Sequence, residues 1–551
     1  MRNTNWKPQP NIGENEDVIY GLMSVVSNTE NSISFTCSGN YTVDWGDGNV
    51  SNYDAGSRAS HEYNYNILPI DYIQDDNSKQ VYFKITPQNG VIDSIDFSAV
   101  KKYYESKYNC VEMIFHTPHL KKLIFNNRTN INNGLNLERI SIKKHALESV
   151  DQLFHNLLEL ETISDLDTKG YTQMDGMFFN CISLKEIPLL DTSEAINMEY
   201  MFFGCKSLTE IPLLNTRKAT TVQSMFSGCS NLTTVPPLET NAVTDMSNMF
   251  SECKSLTAIP QLDTSKVKNM NCMFDGCIKL TTIPIIDTSS AINVGGMFFD
   301  CTSLKKIPML NTASVTNMGS MFDGCVNLKE VPLLNTSEVD NMGYMFNECG
   351  SLTTIPHFNT KNVRSMSGMF YKCTNLITIP LLDTGKVIEM GCMFYECTNL
   401  KTIPALDTGN VINMSYIFHE CKNLTEVPLL DTRNVVDMRR MFDECYSLVE
   451  IPSFNTSKVV DMSAMFFNCS KLITVPMMDT SNVTSMWGMF HECESLKTVP
   501  LLDTRKVTNM RYMFQNCKNL TELPKLDTSS LPDNFARYNM FHGCLDQTME
   551  A

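Results

Sequence analysis

Residues 191–214 read DTSEAINMEYMFFGCKSLTEIPLL, and close variants of this 24-residue unit recur sixteen times. The copies start at Asp167, Asp191, Asn215, Glu239 and Asp263, and so on to Asp527. Cysteine marks the register at Cys181, Cys205, Cys229 and every 24 residues to Cys517, with Cys544 three residues late. Thr follows the first residue of every copy, from Thr168 to Thr528, and a Phe stands in every copy from Phe178 to Phe541. Fifteen prolines, Pro188 to Pro524, fall on the same lattice. A unit this short cannot bury an apolar face alone, so its copies must stack into a solenoid.

Regular leucines at a period of 20–29 residues predict the leucine-rich-repeat type of solenoid. Within one unit, Met198, Met201, Phe202 and Cys205 stand at i, i+3, i+4 and i+7, the spacing of one face of a short helix. The preceding residue (Asn197, Thr221, Asp245, Asn269, Ser485) is of the type that caps a helix N-terminus. After the cysteine, Leu208 to Pro212 is short enough for one strand of a parallel ladder, which proline ends for want of an amide. Asp191-Thr192 then reads as a turn whose side chains cap nearby backbone groups. The expected fold is a solenoid with one short parallel strand and one short helix per unit, preceded by a small all-β sandwich domain.

The run MFxxCxxLxxIPxLDTSxVxxM resembles the BspA-type leucine-rich-repeat surface proteins, in the branch whose units carry M-F before the cysteine. The likeness covers residues 167–551 in register and 120–166 loosely. It implies a non-catalytic solenoid used in adhesion or partner binding, and it supplies no ligand.

Upstream, Leu153-Phe154 takes the M-F place, Leu157 the cysteine place, then Leu160 and Ile163 follow. Leu120 to Leu123 and Leu137 to Ile140 read as strands of worn units, so 101–166 is expected to be the N-terminal cap of the solenoid. In 17–100, alternating apolar runs (Val18 to Val26, Ile33 to Cys37, Val81 to Ile85, Val91 to Phe97) argue a β domain. Trp45-Gly46-Asp47-Gly48, followed by His61-Glu62-Tyr63, resembles the WGDG motif of PKD-like, immunoglobulin-type domains. Residues 1–16 read as a polar tail, mobile or docked on a partner, with Trp6 as its anchor.

Several functions are disfavoured by composition. The net charge of −17 has the wrong sign for gripping nucleic acid or an anionic membrane. No apolar run reaches membrane-spanning length, and the first seventeen residues hold no hydrophobic signal core. Cysteines with 23 residues between them are not a zinc site. Adjacent units bring them within disulfide reach, yet they sit on the inward face, and Leu157 fills the same place. Buried free thiols are therefore expected, with Cys272 and Cys392 separate and outward-facing. Asp44 and Asp47 lack the oxygen count of a calcium loop. No G-x-S-x-G, H-E-x-x-H or phosphate-binding loop occurs. The expectation is no cofactor, no metal and no catalysis.

What varies between units points outward. The place after M-F holds Phe179, Phe203, Phe299, Tyr371, Tyr395, His419, Phe467 and His491, and a second outward place holds Tyr200, Tyr344, Tyr416 and Tyr512. These form a candidate face for stacking on sugar or protein. The residue after proline (Leu189, Leu213, Ile285, Leu333, Leu501) forms a second candidate face. The expected function is recognition or structural, as a tailed-phage virion appendage made in the host cytoplasm, because adhesin-like modules stand without a visible export signal or anchor. Its partners would be a host-surface protein or glycan, or neighbouring virion subunits, and oligomerisation stays open. The alternatives are a bacterial cell-surface adhesin and, from another class, a polysaccharide-cleaving enzyme, for which acids would have to converge in a groove.

Overall fold

The alternating apolar runs near the N-terminus become strands because one face of each finds aromatic partners across a second layer. The computed structural model describes residues 6–27, 31–69, 73–74, 77–98, 109–125 and 135–544. Expectations for residues 1–5, for 101–108 and 126–134 of the cap, and for the last seven residues lie outside the described residues. The chain divides into two units, Met1–Lys266 and Val267–Ala551.

In the first unit, one sheet runs in the order β11-β10-β8-β1-β6-β3-β4. Its strands are β1 (Val18–Val25), β3 (Tyr41–Asp44), β4 (Val50–Tyr53), β6 (Lys79–Pro87), β8 (Cys110–His116), β10 (Arg139–Lys144) and β11 (Thr162–Ser164). A second sheet runs β5-β2-β7-β9, from β2 (Ser32–Cys37), β5 (Arg58–Glu62), β7 (Ser94–Asp96) and β9 (Lys122–Ile124). Phe35 of β2 meets Phe83 of β6 at 6.0 Å and Trp45 at 6.1 Å between ring centres, which joins the two layers.

Pairing changes direction along the first sheet. β1 is antiparallel to β8, whereas β8, β10 and β11 are mutually parallel, with Met113 opposite Ile140 and Ile140 opposite Ile163. The second sheet makes the same change, because β7 pairs in parallel with β9 through Ile95 and Leu123. Each sheet thus passes from antiparallel strands into coils stacked in parallel. Trp6 does not wait for a partner. It is buried on Leu22 of β1 and Val111 of β8, with the Arg139 guanidinium 4.9 Å from its ring centre. Lys144 Nζ donates to the Glu14 carbonyl at 2.6 Å and ties down the same segment.

The repeats differ from the sequence expectation in one important respect: the M-F segment is not a helix. Among the described residues the only helical turns are short 3-10 pieces at Tyr65–Ile67 and Asn534–Arg537. Alternate amides do two different jobs instead. Tyr200, Phe202 and Gly204 donate along the stack to the carbonyls of Gln223, Met225 and Ser227, at 2.9, 2.9 and 2.7 Å. Phe203 and Cys205 close turns onto Tyr200 and Phe202, at 3.0 and 3.1 Å. Tyr200 at φ 55° and Gly204 at φ 71° hold the left-handed conformation that closes two successive turns. A helix would spend these amides inside its own segment and leave neighbouring coils without a ladder.

The L-x-x-I-P stretch also departs from a continuous strand ladder. Isolated parallel bridges occur there at Thr162 with Glu186 and at Thr474 with Thr498, while the regular bridges run through the Asn197 column, as in Asn197 with Thr221. Asn197 keeps its capping chemistry without a helix, since its Oδ1 accepts the Glu199 amide at 3.0 Å.

The second unit repeats this plan in its own coils. Ser320, Phe322 and Gly324 donate to Gly343, Met345 and Asn347, at 2.9, 3.0 and 2.9 Å. Its core is a stack of Phe rings. Phe298, Phe322 and Phe346 lie 5.7 Å apart, centre to centre, and within 10° of parallel.

Candidate functional site

Four inward columns build the solenoid and leave little for recognition. Phe202, Met198, Met201 and Cys205 and their counterparts down to Cys517 are fully buried, while Met540 and Phe541 of the last copy are half-buried. Each cysteine does more than fill space: Cys205 Sγ donates to the Phe178 carbonyl at 3.2 Å and Cys325 Sγ to the Phe298 carbonyl at 3.1 Å. Burial pushes the Cys229 thiol up to about 12. Cys272 and Cys392 are half-buried at left-handed positions, with φ 53° and 60°. The Thr column is buried too, and it links coils. Thr192 Oγ1 donates to the Asn215 carbonyl at 2.9 Å and accepts the Asn215 amide at 2.8 Å. The expected local cap comes from the acid beside it, as Asp191 Oδ1 accepts the Ser193 amide at 3.0 Å.

The aromatic candidates lie on the outer turns, where they stack mainly on one another. Phe179 and Phe203 are 4.7 Å apart and nearly parallel, with Tyr200 edge-on to both. Tyr371 stacks on Tyr395 at 4.3 Å, Tyr395 meets His419 at 4.4 Å, and Tyr416 stands edge-on to His419 at 5.8 Å. Phe467 stacks on His491 at 4.3 Å, and Tyr512 stands edge-on to that histidine. Most of these rings, Phe299 included, are half-buried, and His419 is buried. Tyr344 is exposed and lies over Gly368, where an added Cβ would come within 2.3 Å of its ring.

Sequence reasoning missed a polar group inside this face. Asp443 is buried and takes the place after M-F that neighbouring coils fill with aromatics. Its Oδ2 accepts from Arg440 Nη1 at 2.6 Å, and His419 Nδ1 lies 3.1 Å away, off the hydrogen-bond direction. Asp443 Oδ1 is buried with no hydrogen-bond partner. The Arg440 guanidinium also lies over Tyr416 and Trp487, at 6.0 and 5.6 Å. The signal was available in part, since Asp443 stands between His419 and Phe467 in that column, with Arg440 three residues before it. Two coils are linked through the same column elsewhere: Asp323 accepts from Asn347 Nδ2 at 2.6 Å, and burial pushes its carboxyl up to about 6 against the lowering effect of that bond.

The residues after proline include the most exposed large apolar side chains among the described residues. Leu189 is 80% exposed, Ile285 and Leu501 74%, Leu213 65% and Leu333 62%. The reason is a local period of two. In Leu213-Leu214-Asn215-Thr216 the first and third residues are exposed and the second and fourth buried, as in an extended segment. A coil therefore presents its post-proline residue beside the Asp or Asn (Glu239 in one copy) two places later. Asp383, Asp407 and Asp479 are exposed members of that acidic column.

Among the described residues, no group of three or more His, Cys, Asp or Glu side chains is arranged to hold a metal ion. No described helix is long and apolar enough to cross a membrane. A recess of about 770 Å³ lies between β9 and the first coils, lined by Lys121, Lys122, Phe125, Asp151 and His155 among others.

The family described as "Mycoplasma protein of unknown function, DUF285" matches residues 121–235, 231–331, 293–402, 378–472 and 447–548. No curated protein matches the chain. Among solved structures, a leucine-rich repeat protein from Eubacterium ventriosum is similar at 16% identity, with 60% of this chain and 88% of that one covered and a TM-score of 0.34. A leucine-rich repeat protein of T. pallidum is 22% identical over 37% of this chain and 72% of its own, with a TM-score of 0.18. The functional domain of InlJ from Listeria monocytogenes, described as including a cysteine ladder, is 14% identical over 70% and 72%, with a TM-score of 0.20. With TM-scores under 0.5, these likenesses add nothing to the 24-residue register and the ladders.

Proposed function

The chain belongs to the DUF285 family, and from that premise we propose that it is a non-catalytic recognition protein whose solenoid presents its outward columns to a partner. One observation carries the reading. The inward columns complete the core, yet the post-proline place still exposes large apolar side chains on nine of its fifteen coils. Leaving such a side chain wet forfeits roughly 1.5–3 kcal/mol of burial, and contiguous exposed apolar surface marks an interaction site. The partner class we propose is a protein or a surface glycan. The first hundred residues add a PKD-like β domain in this proposal, supported by Asp47 Oδ2 and His61 Nε2 at 2.8 Å within the WGDG region.

The experiment is saturable binding of the labelled full chain to a panel of bacterial and host-cell surfaces and to a glycan array. Saturable binding with no release of reducing ends supports the reading. Polysaccharide turnover abolished by one carboxylate substitution would move the chain to the enzyme class. Our proposed venue remains a tailed-phage virion appendage, with the bacterial cell surface as its alternative. Finding the chain in purified particles supports the first, and removal by protease from intact bacteria supports the second.

A further inference from the structure

We propose that the post-proline stripe of the second unit docks a basic, amphipathic α-helix of a partner protein, laid along the stack of coils. This rests on the reading of the array as a recognition surface and names the occupant of one face.

The first argument is spacing. Between Leu333 and Met477, large apolar side chains occupy every second coil, at Leu333, Leu381, Leu429 and Met477, and Leu501 on the next coil ends the alternation. The coils between them carry His357, Ala405 and Ser453. All these positions are exposed. At a coil spacing of about 4.8 Å the knobs recur every ~9.6 Å. Two turns of an α-helix span about 10.8 Å, so apolar residues seven apart on a helix meet successive gaps over Ala405 and Ser453. An extended strand laid along the stack repeats on one face every ~6.8 Å and matches neither spacing.

The second argument is charge. Two residues beyond the knobs runs a column of Asp and Asn, with exposed Asp383 and Asp479 beside Leu381 and Met477, Asn335 beside Leu333, and Asp431 beside Leu429 already paired with Arg433. Extended backbone places the two columns about 7 Å apart, close to the offset between the apolar stripe of a helix and the Lys or Arg residues that flank it. The same column argues against a second copy as the occupant. Two copies facing through this stripe would bring acidic surfaces together, on chains that each carry a net charge of −17.

The test uses the full chain and a fluorescent peptide of about three heptads, with Leu on one helical face and Lys on its flanks. Controls are a scrambled Leu/Lys peptide and a Leu/Glu peptide of the same pattern. Anisotropy should show saturable binding of the amphipathic Lys peptide, weakened by salt, with both controls at least about tenfold weaker. Combining Leu381→Ser, Leu429→Ser and Met477→Ser should weaken it about tenfold or more. Combining Asp383→Asn, Asp407→Asn and Asp479→Asn should weaken it severalfold and flatten the salt dependence. Both sets spare the inner columns, and Asn already stands in the acidic column at Asn335, Asn359 and Asn455, so thermal melting should be unchanged.

Equal binding of scrambled and amphipathic peptides would overturn the proposal, and so would parent-like binding by the Leu-to-Ser chain. A dimer in sedimentation that the same three Ser substitutions abolish would assign the stripe to a second copy and also overturn it. If the peptide fails while the full chain still binds a cell surface, the docking strip falls and the recognition reading stands. Failure of both removes the recognition reading as well.

Discussion

At the scale of single residues, the outer turns carry charges in places that other coils fill with rings, and these can be probed one at a time. The Asp323 carboxyl is held up at about 6, chiefly by burial. Its folded pKa stands above the unfolded carboxylate value, so its contribution to stability is present below about pH 4 and lost as pH rises through about 6. A two-unit shift corresponds to at most ~3 kcal/mol, and access of water to the turn reduces this to about 1–2. Asp323→Asn keeps an oxygen for Asn347 and should raise stability by about that amount at pH 7, with no gain at pH 4 in paired thermal melts. An equal effect at both pH values would remove the burial explanation. Arg440→Met should do the opposite, because it strands the Asp443 carboxylate. Removing one partner of a buried pair costs roughly 3–5 kcal/mol, and hydrogen exchange should speed up around residues 416–468. Adding Asp443→Ser should recover much of the loss, since Ser227 and Ser251 already occupy that column. Without recovery, the damage comes from lost packing of Arg440 on Tyr416 and Trp487.

At the scale of the coil, the sequence made some parts legible and concealed others for a physical reason. Phe202, Cys205 and Met198 stood out as core because an inward column must repeat with the coil. The helix did not follow from them. Spacing of i, i+3, i+4 and i+7 serves a helix and two successive turns alike, so apolar pattern alone cannot separate the two. A partial sign lay in the residue before the cysteine, which is Gly or Asn in eight of the sixteen copies, as at Gly204 and Asn468, and Glu, Asp or Lys in the other eight. All sixteen adopt positive φ, from 52° at Asp300 to 80° at Gly543, although only the Gly and Asn members are residue types that tolerate it readily. The outward faces were legible as positions but not as exposures: aromatic rings one coil apart can cover each other, whereas the Leu after proline has an acid on one side and water above. The stacked Phe column gives the coil its own test. Phe322→Ala should cost about 3–5 kcal/mol, loosening exchange across residues 300–350 while leaving β1 and β6 protected, because coils contact only their neighbours. An unchanged profile in that window would mean that the rings are not what holds the stack.

At the scale of the molecule, a solenoid must solve the problem of its first coil, whose unpaired amides and apolar face invite aggregation. Here the N-terminal sheets do this by changing direction. β1 lies antiparallel on β8, and the parallel series β8, β10, β11 then leads into the turns at 150–157. Those turns hand over to the array through Gln152, Phe154 and Asn156, whose amides donate to the carbonyls of Asp175, Met177 and Phe179 at 2.9, 2.9 and 2.7 Å. The Phe154 ring lies 5.4 Å from Phe178 and covers its face. A shortened chain starting at Asp167 keeps all sixteen copies but strips these covers, leaving three carbonyls and one Phe face open at its first coil. It should associate or precipitate at concentrations where the full chain remains dispersed, and light scattering during a concentration series measures this directly. Replacing Phe178 by Ser in the shortened chain should reduce the association, because it removes the apolar part of the exposed end. A shortened chain that stays dispersed and melts like the parent would show that the array closes its own end, and that the N-terminal sheets serve something other than capping.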